Sequence, residues 1–281
     1  MKVGIIGAGN IGSNIASLLI SQDLASEILL IDINEKLALG KMLDLSTLSV
    51  ILDKNIKINS TLDYSKLKDF DIVVITAGIT RKEGQSREEL AKINASIVGE
   101  TSKKIAEFSP NAIIIIVTNP LDLMVYACYK NSGFNKNKII GMAGELDSAR
   151  AKLNLAKLKN ISPINAKINV FGMHNDEMII QTSQDLTKDE FQTVKDGTIN
   201  AGANITKLLG TSAYYAPAAA VVKMIKAIKN GGNVIASVLD DNEISFGKEI
   251  KLSKKGVEKI VENEVYKSVD TSNFIKLKKN L

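Results

Sequence analysis

The chain has 281 residues, 45% hydrophobic and 24% charged, which allows one or two domains with a sizeable core and excludes a disordered protein. Its formal charge of +5 and pI near 9.0 raise a nucleic-acid role, but the lysines are scattered. The densest basic stretch is only Lys276, Lys278 and Lys279, no aromatic residues interleave with the lysines and Trp is absent, so that class is set aside.

The N-terminal strand-like residues 3–6 are interrupted by glycine and followed by polar Asn10, Ser13 and Asn14, so no secretion signal is expected. A helix is predicted over 11–20, a strand over 28–31, a helix over 35–45 and a short strand over 56–58. A strand over 72–76, a long helix over 87–108 and a strand over 112–117 follow, then a helix over 121–129 and a short strand over 138–141. These strands are continuous apolar runs, as expected when helices cover both faces of a parallel sheet. The alternation predicts an α/β fold, a doubly wound parallel Rossmann sheet over 1–141.

After 141 the rhythm changes. Helices are predicted over 146–159, 189–209, 213–229 and 256–269, with strands over 168–171, 178–182, 234–239 and 244–250. This reads as a mixed α+β substrate domain over 142–281, and without a Pro/Gly/Ser linker the halves are expected to meet around a shared cleft. The longest apolar run, 112–117, is far too short to span a bilayer, so a soluble cytoplasmic protein is expected. Single Cys128 and single His174 argue against a metal site, and one cysteine fits a reducing compartment.

Gly7-Ala8-Gly9-Asn10-Ile11-Gly12 lies between a predicted strand and a predicted helix. In that context Gly7 allows a tight turn, Gly9 lets the backbone approach a pyrophosphate, and Gly12 lets helix and strand pack closely. Helix N-terminal amides then receive negative charge. Asp32 closes the next strand, 20 residues past Gly12, where a carboxylate accepts ribose hydroxyls and repels a 2′-phosphate. NAD is therefore the expected cofactor, in preference to NADP.

His174 sits between two predicted strands and has the ordinary pKa range for the proton half of an alcohol oxidation. Asp147 and Arg150 stand one turn apart near the start of a helix. They read either as a surface ion pair or as an imidazole-orienting carboxylate and a carboxylate-gripping guanidinium. The polar segment 76–87, with Arg81, Lys82 and Arg87, reads either as a solvated loop or as a lid over the carboxyl edge of the sheet. Val117-Thr118-Asn119-Pro120 closes another strand at that edge, placing Asn119 near substrate and cofactor. Thr211 or Ser212 opens a further helix and reads also as its N-cap.

Together these segments resemble the lactate/malate dehydrogenase family from Val3 to about Met224. The matching residues are Gly7 to Gly12, Asp32, Thr76-Ala77-Gly78, Arg81, Arg87, Asn94, Thr118-Asn119-Pro120, Leu146 to Arg150, His174 and Ser212 to Pro217. The resemblance implies His174 as acid/base with Asp147 as its partner, Arg150 on the substrate carboxylate, Arg87 on the reacting carbonyl and Asn119 on the substrate hydroxyl. It implies cofactor contacts from Gly7, Ala8, Gly9, Asn10, Ile11, Gly12, Asp32, Asn94, Val117 and Asn119, and a substrate pocket lined by Ser212. Arg81 falls where the malate branch carries Arg and the lactate branch typically Gln, which points to a malate/oxaloacetate dicarboxylate. A homodimer or homotetramer is implied as well. The alternatives are a lactate enzyme or an NAD-binding regulatory protein without catalysis, against which the combination of His174, Asp147, Arg150 and Arg87 argues. The chain departs from the family in carrying Asn175, not Gly, after the histidine, and in being shortened after Ile180 and over 234–247. Asn tolerates left-handed backbone angles better than most residues, so the turn is expected to survive.

Overall fold

Runs such as Ile113–Ile116, four buried isoleucines in a row, have no polar face to offer water and settle as central strands with helices on both sides. The computed structural model describes the chain except residues 81–83 and 85, and describes only the backbone of Arg87. Six parallel strands form the first part of the sheet: β1 (Lys2–Ile6), β2 (Glu27–Ile31), β3 (Lys57–Thr61), β4 (Ile72–Ile75), β5 (Ile113–Ile116) and β6 (Ile139–Gly141). Their spatial order is β6-β5-β4-β1-β2-β3. The order reverses between β1 and β4, and a crevice opens beyond their carboxyl ends.

Two apolar cores flank this sheet. One face is covered by α1 (Asn10–Ser21), α2 (Glu35–Ile51) and α7 (Tyr215–Asn230). The other is covered by α3 (Arg87–Phe108) and α4 (Leu121–Ser132). The start of α3 is defined by a capping box, in which the Glu89 amide donates to Ser86 Oγ at 3.1 Å and the Ser86 amide to Glu89 Oε2 at 2.9 Å. That cap sets the point where the segment after β4 becomes helix.

The strands of the second half do not build a separate sheet. β9 (Gly232–Leu239), β10 (Ser245–Ser253) and β11 (Gly256–Ile260) run antiparallel and extend the same sheet beyond β6, making nine strands in all. Among the described residues, β7 (Ile168–Phe171) and β8 (Ile179–Thr182) stand apart as a two-stranded hairpin. They pack with α5 (Gly144–Lys159) and α6 (Lys188–Leu209) around a third, smaller core that includes Leu155, Val170 and Val194.

The helix predicted over 256–269 is absent. Gly256, at φ +97°, closes a tight hairpin into β11, and a Cβ there would lie 2.2 Å from the Asn137 carbonyl oxygen. Val257 and Ile260 have the spacing of a helical face, but they are paired with Leu252 and Ile250 of β10 across a bulge. The helix comes later, as α8 (Ser272–Lys278), anchored by buried Phe274 edge-on to Tyr126 of α4.

Candidate active site

The first cavity, of about 580 Å³, opens at the carboxyl ends of β1, β2 and β4. Gly7, Gly9, Asn10, Ile11, Asp32, Thr76 to Thr80 and Lys104 are among its lining residues. Gly7 turns the chain at φ +102°, where a Cβ would sit 2.5 Å from Thr76 Oγ1. A Cβ on Gly12 would meet the Gly7 carbonyl oxygen at 1.9 Å, so the close approach of α1 to the turn depends on that glycine. Gly9 differs from both: nothing lies within 4 Å of where its Cβ would be. That open space sits at the N-terminus of α1, where backbone amides favour an anion.

Asp32 holds the turn from the neighbouring strand. Its Oδ2 accepts from the Ala8 amide at 2.7 Å and its Oδ1 from the Asn34 amide at 2.8 Å. Each carboxylate oxygen keeps a further lone pair for a diol. Ala8 and Gly12 shape this cleft from behind without lining it, and Val117 is a core residue that lines neither of the two cavities described here.

Asn94 is 1% exposed and bonds to the backbone through both ends of its amide. Its Oδ1 accepts from the Ile79 amide at 2.9 Å, and its Nδ2 donates to the carbonyls of Ile79 at 3.1 Å and Asn119 at 2.7 Å. Both N–H donors are therefore used, and Asn94 braces the loop after β4 against the loop after β5, with one lone pair of Oδ1 left over. Ser212, with Thr211 and Tyr214, lines the first cavity and not the second. Neither Thr211 nor Ser212 caps α7, whose N-cap is Tyr214.

A second cavity of about 320 Å³ is lined by Asn119, Pro120, Asp122, His174 and, from α8, Asn273 and Phe274 among others. Its chemistry rests on how α5 is docked. A Cβ on Gly144 would lie 2.2 Å from Ile235 Cγ2 of β9, so the N-terminus of α5 sits hard against that strand. Ser148 Oγ then accepts the Val170 amide of β7 at 2.9 Å, tying helix to hairpin. Gly172, at φ +82°, ends β7 and exchanges both backbone hydrogen bonds with Gly247 of β10, at 3.0 and 2.8 Å. His174 is delivered by that turn. The turn keeps Asn175 without using the left-handed angles it tolerates; its Oδ1 accepts the Glu177 amide at 2.8 Å and holds the turn by its side chain.

His174 and Asp147 thereby meet, with Nδ1 2.6 Å from Asp147 Oδ2. Asp147 is 2% exposed, and its other oxygen accepts from Arg150 Nη1 at 3.3 Å. Burial works against charging the imidazole, but the charge and hydrogen bond of Asp147, with the charge of Asp122, outweigh burial and the opposing Arg150. The net effect raises the His174 pKa above its ordinary value of 6.5. With Nδ1 engaged, Nε2 is the nitrogen left for proton transfer. Arg150 engages Asp147 through Nη1 alone, a single bond from a fork that can make paired ones. Arg81 and the side chain of Arg87 lie outside the described residues.

Asp122 escaped the sequence reading; an acid in the first turn of a helix is common and marks no site by itself. It is buried against the His174 turn, and its Oδ2 accepts the His174 amide at 2.8 Å. The tie from Ser148 to β7 was missed although Ser148 lies within Leu146 to Arg150, and the wall formed by α8 was missed because it leaves no motif.

A dinucleotide-type cleft braced against a carboxylate-backed imidazole is the arrangement of a dehydrogenase that moves a hydride and a proton together. Residues 1–141 match the model of the lactate/malate dehydrogenase NAD-binding domain, and residues 144–281 that of the family's alpha/beta C-terminal domain. The malate dehydrogenase of Flavobacterium johnsoniae is 42% identical over 282 residues, covering 93% of this chain and 90% of that protein. The Cryptosporidium parvum malate dehydrogenase structure superposes with a TM-score of 0.92 at 33% identity, covering 100% of this chain and 98% of that one. The lactate dehydrogenase of the same organism, solved with lactic acid and nicotinamide adenine dinucleotide, gives 0.88 at 32%, covering 99% and 93%. The chain belongs to the lactate/malate dehydrogenase family and is an oxidoreductase with an NAD(H) cofactor.

Proposed function

We propose that the protein is a malate dehydrogenase, interconverting malate and oxaloacetate with NAD in preference to NADP. The observation that carries this reading is the His174–Asp147–Arg150 cluster beside a cleft ending at Asp32. The cleft fits the cofactor: the space over Gly9 accepts a pyrophosphate, and Asp32 favours ribose hydroxyls and opposes an added phosphate. When bound, the nicotinamide supplies or accepts the hydride. His174 supplies the proton from Nε2 to the forming alkoxide in reduction and takes it back in oxidation. Asp147 orients the ring and stabilises its charged form. Arg150 grips one substrate carboxylate, and Arg87 polarises the carbonyl. Asn119 contacts the substrate hydroxyl.

Oxaloacetate carries a second carboxylate, and Arg81 on the segment after β4 is its cation. Pyruvate would leave that guanidinium desolvated and unpaired, so the same residue that attracts oxaloacetate rejects pyruvate. Residues 1–141 hold the cofactor and contribute Asn119, Arg81 and Arg87 to the substrate, and 142–281 supply the acid/base and the carboxylate clamp. The enzyme works as a homodimer or homotetramer: Leu43, Val50 and Ile51 present apolar surface on α2 that a second copy would cover. It acts in the cytoplasm; burial pushes the Cys128 thiol up to about 12, which suits a small core residue in a reducing compartment. The test is NADH oxidation by the purified protein with oxaloacetate and pyruvate in parallel. A preference for oxaloacetate supports the reading, a preference for pyruvate makes it a lactate enzyme, and turnover of neither removes it.

A further inference from the structure

We propose that Asp122 is a positioning residue for proton transfer, holding the His174 main chain in place and setting a second fixed negative charge beside the imidazole. The inference rests on the reading of His174 as the acid/base. Asp122 lies in the first turn of α4 and is 8% exposed. Its two oxygens do different work. Oδ2 accepts the His174 amide at 2.8 Å, and Oδ1 accepts Ser237 Oγ of β9 at 2.6 Å. Ser237 Oγ is in turn 2.7 Å from Ser245 Oγ of β10, and both serines are fully buried. One carboxylate thus joins α4, the two antiparallel strands and the turn that carries the acid/base.

A neutral side chain would make the same bonds at lower cost. Were Asp122 replaced by Asn, its Oδ1 would still accept the His174 amide and its Nδ2 would donate to Ser237, whose hydroxyl would turn to donate to Ser245. Holding a charge in this place costs desolvation, and burial does push the Asp122 carboxyl above its ordinary value. The charge therefore has consequences only through an ionisable neighbour, and His174 is that neighbour. The charges bearing on the ring are Asp122 from α4 and Asp147 and Arg150 from α5, with Asp176 and Glu177 following on its own turn. With His174 protonated, Asp122, Asp147, Arg150 and His174 sum to zero; with it neutral, one negative charge is left over. Removing the Asp122 charge leaves Asp147 alone against two cations, so the protonated imidazole becomes harder to form.

The experiment exploits the fact that the chain has a single histidine. NMR titration of the imidazole in the full-length, tag-free protein reads His174 directly, without any turnover. Wild type, Asp122→Asn and Asp122→Ala are compared, with NADH binding and thermal unfolding as controls for folding. The expected result is that Asp122→Asn binds NADH normally while its imidazole titrates at lower pH than wild type. The high-pH limb of oxaloacetate reduction should move in the same direction. Asp122→Ala leaves the His174 amide without an acceptor and should lose a further tenfold or more, roughly, in kcat/KM. Coincident imidazole titrations in wild type and Asp122→Asn would overturn the electrostatic role. An alanine variant that folds and stays within about twofold of the asparagine variant would overturn the anchoring role. Should the alanine variant not fold, the asparagine titration decides alone. Absence of turnover in wild type would defeat the malate dehydrogenase reading instead, and the titration would still decide what Asp122 does.

Discussion

The cofactor cleft and the proton-transfer centre are built in opposite ways. The turn that opens the cleft is local: Gly7 to Gly12 and Asp32 come from one β-α-β unit, tied by backbone amides given to Asp32, while the segment after β4 and residues 211–214 only complete the cleft's walls. The proton-transfer centre draws Asp122, Asp147, His174 and Ser237 from four separate elements and buries charges among them. A local turn tolerates changes elsewhere because its shape is set by chain geometry. A centre assembled from distant parts depends on every element that docks them, and its charges are strong because water is excluded. Damage to the two regions should therefore separate: binding is lost in one and chemistry in the other.

The sharpest test is His174→Asn, which should cut turnover by about 10²- to 10⁴-fold, the usual worth of a positioned acid/base, while NADH still binds. Turnover within a few-fold of wild type would take His174 out of the mechanism. Next is Arg81→Gln, which removes the cation assigned to the second carboxylate. The ratio of kcat/KM for oxaloacetate over pyruvate should fall by roughly a hundred- to several thousand-fold, the equivalent of an unpaired buried charge. An unchanged ratio sinks the assignment.

On the cleft side, Asp32→Ser should weaken the preference for NADH over NADPH by roughly ten- to a hundredfold, as expected for charge-assisted hydrogen bonds, and leave the pH profile alone. Equal use of NADPH by the unaltered protein would show that Asp32 does not choose the cofactor. The smallest effect is on stability. The His174 pKa is raised in the fold, so the stability from its charged form is fully present below the unfolded value of 6.5 and is lost as pH rises through the higher folded value. The difference in Tm between wild type and His174→Asn should narrow with rising pH across that window. A gap that widens would reverse the sign of the coupling.

The contrast also governs what could be read from the amino acids. The turn after β1 was legible because strand, glycines, helix and acid fall in one stretch and each glycine has a steric duty; the structure separates those duties, with Gly12 packed at 1.9 Å and Gly9 open. His174, Asp147 and Arg150 could be nominated by chemistry and by resemblance, but Asp147 and Arg150 read equally as a surface pair until the docking of α5 brought Asp147 to 2.6 Å from the imidazole. Asn94 was nominated for the cofactor by resemblance, and its bracing of two loops was not legible, because hydrogen bonds to backbone carbonyls leave no trace in a side chain's identity. The stretch 256–269 misled because Val257 and Ile260 are three apart, a spacing that a bulged strand also satisfies.

The sequence by itself determined the local layer of this protein: six apolar strands alternating with helices, a phosphate-type turn, an acid at the end of β2, and a set of residues with the right chemistry for hydride and proton transfer. Those features depend on periodicity, sterics and residue type within a few turns of chain, all of which are written in order along it. Only the tertiary structure decided that β9, β10 and β11 extend the first sheet, that Asn94 serves the backbone, and that Asp122 stands behind His174. These depend on which distant surfaces bury each other and on which buried polar atoms must then find partners, and burial and hydrogen-bond satisfaction are properties of the packed whole.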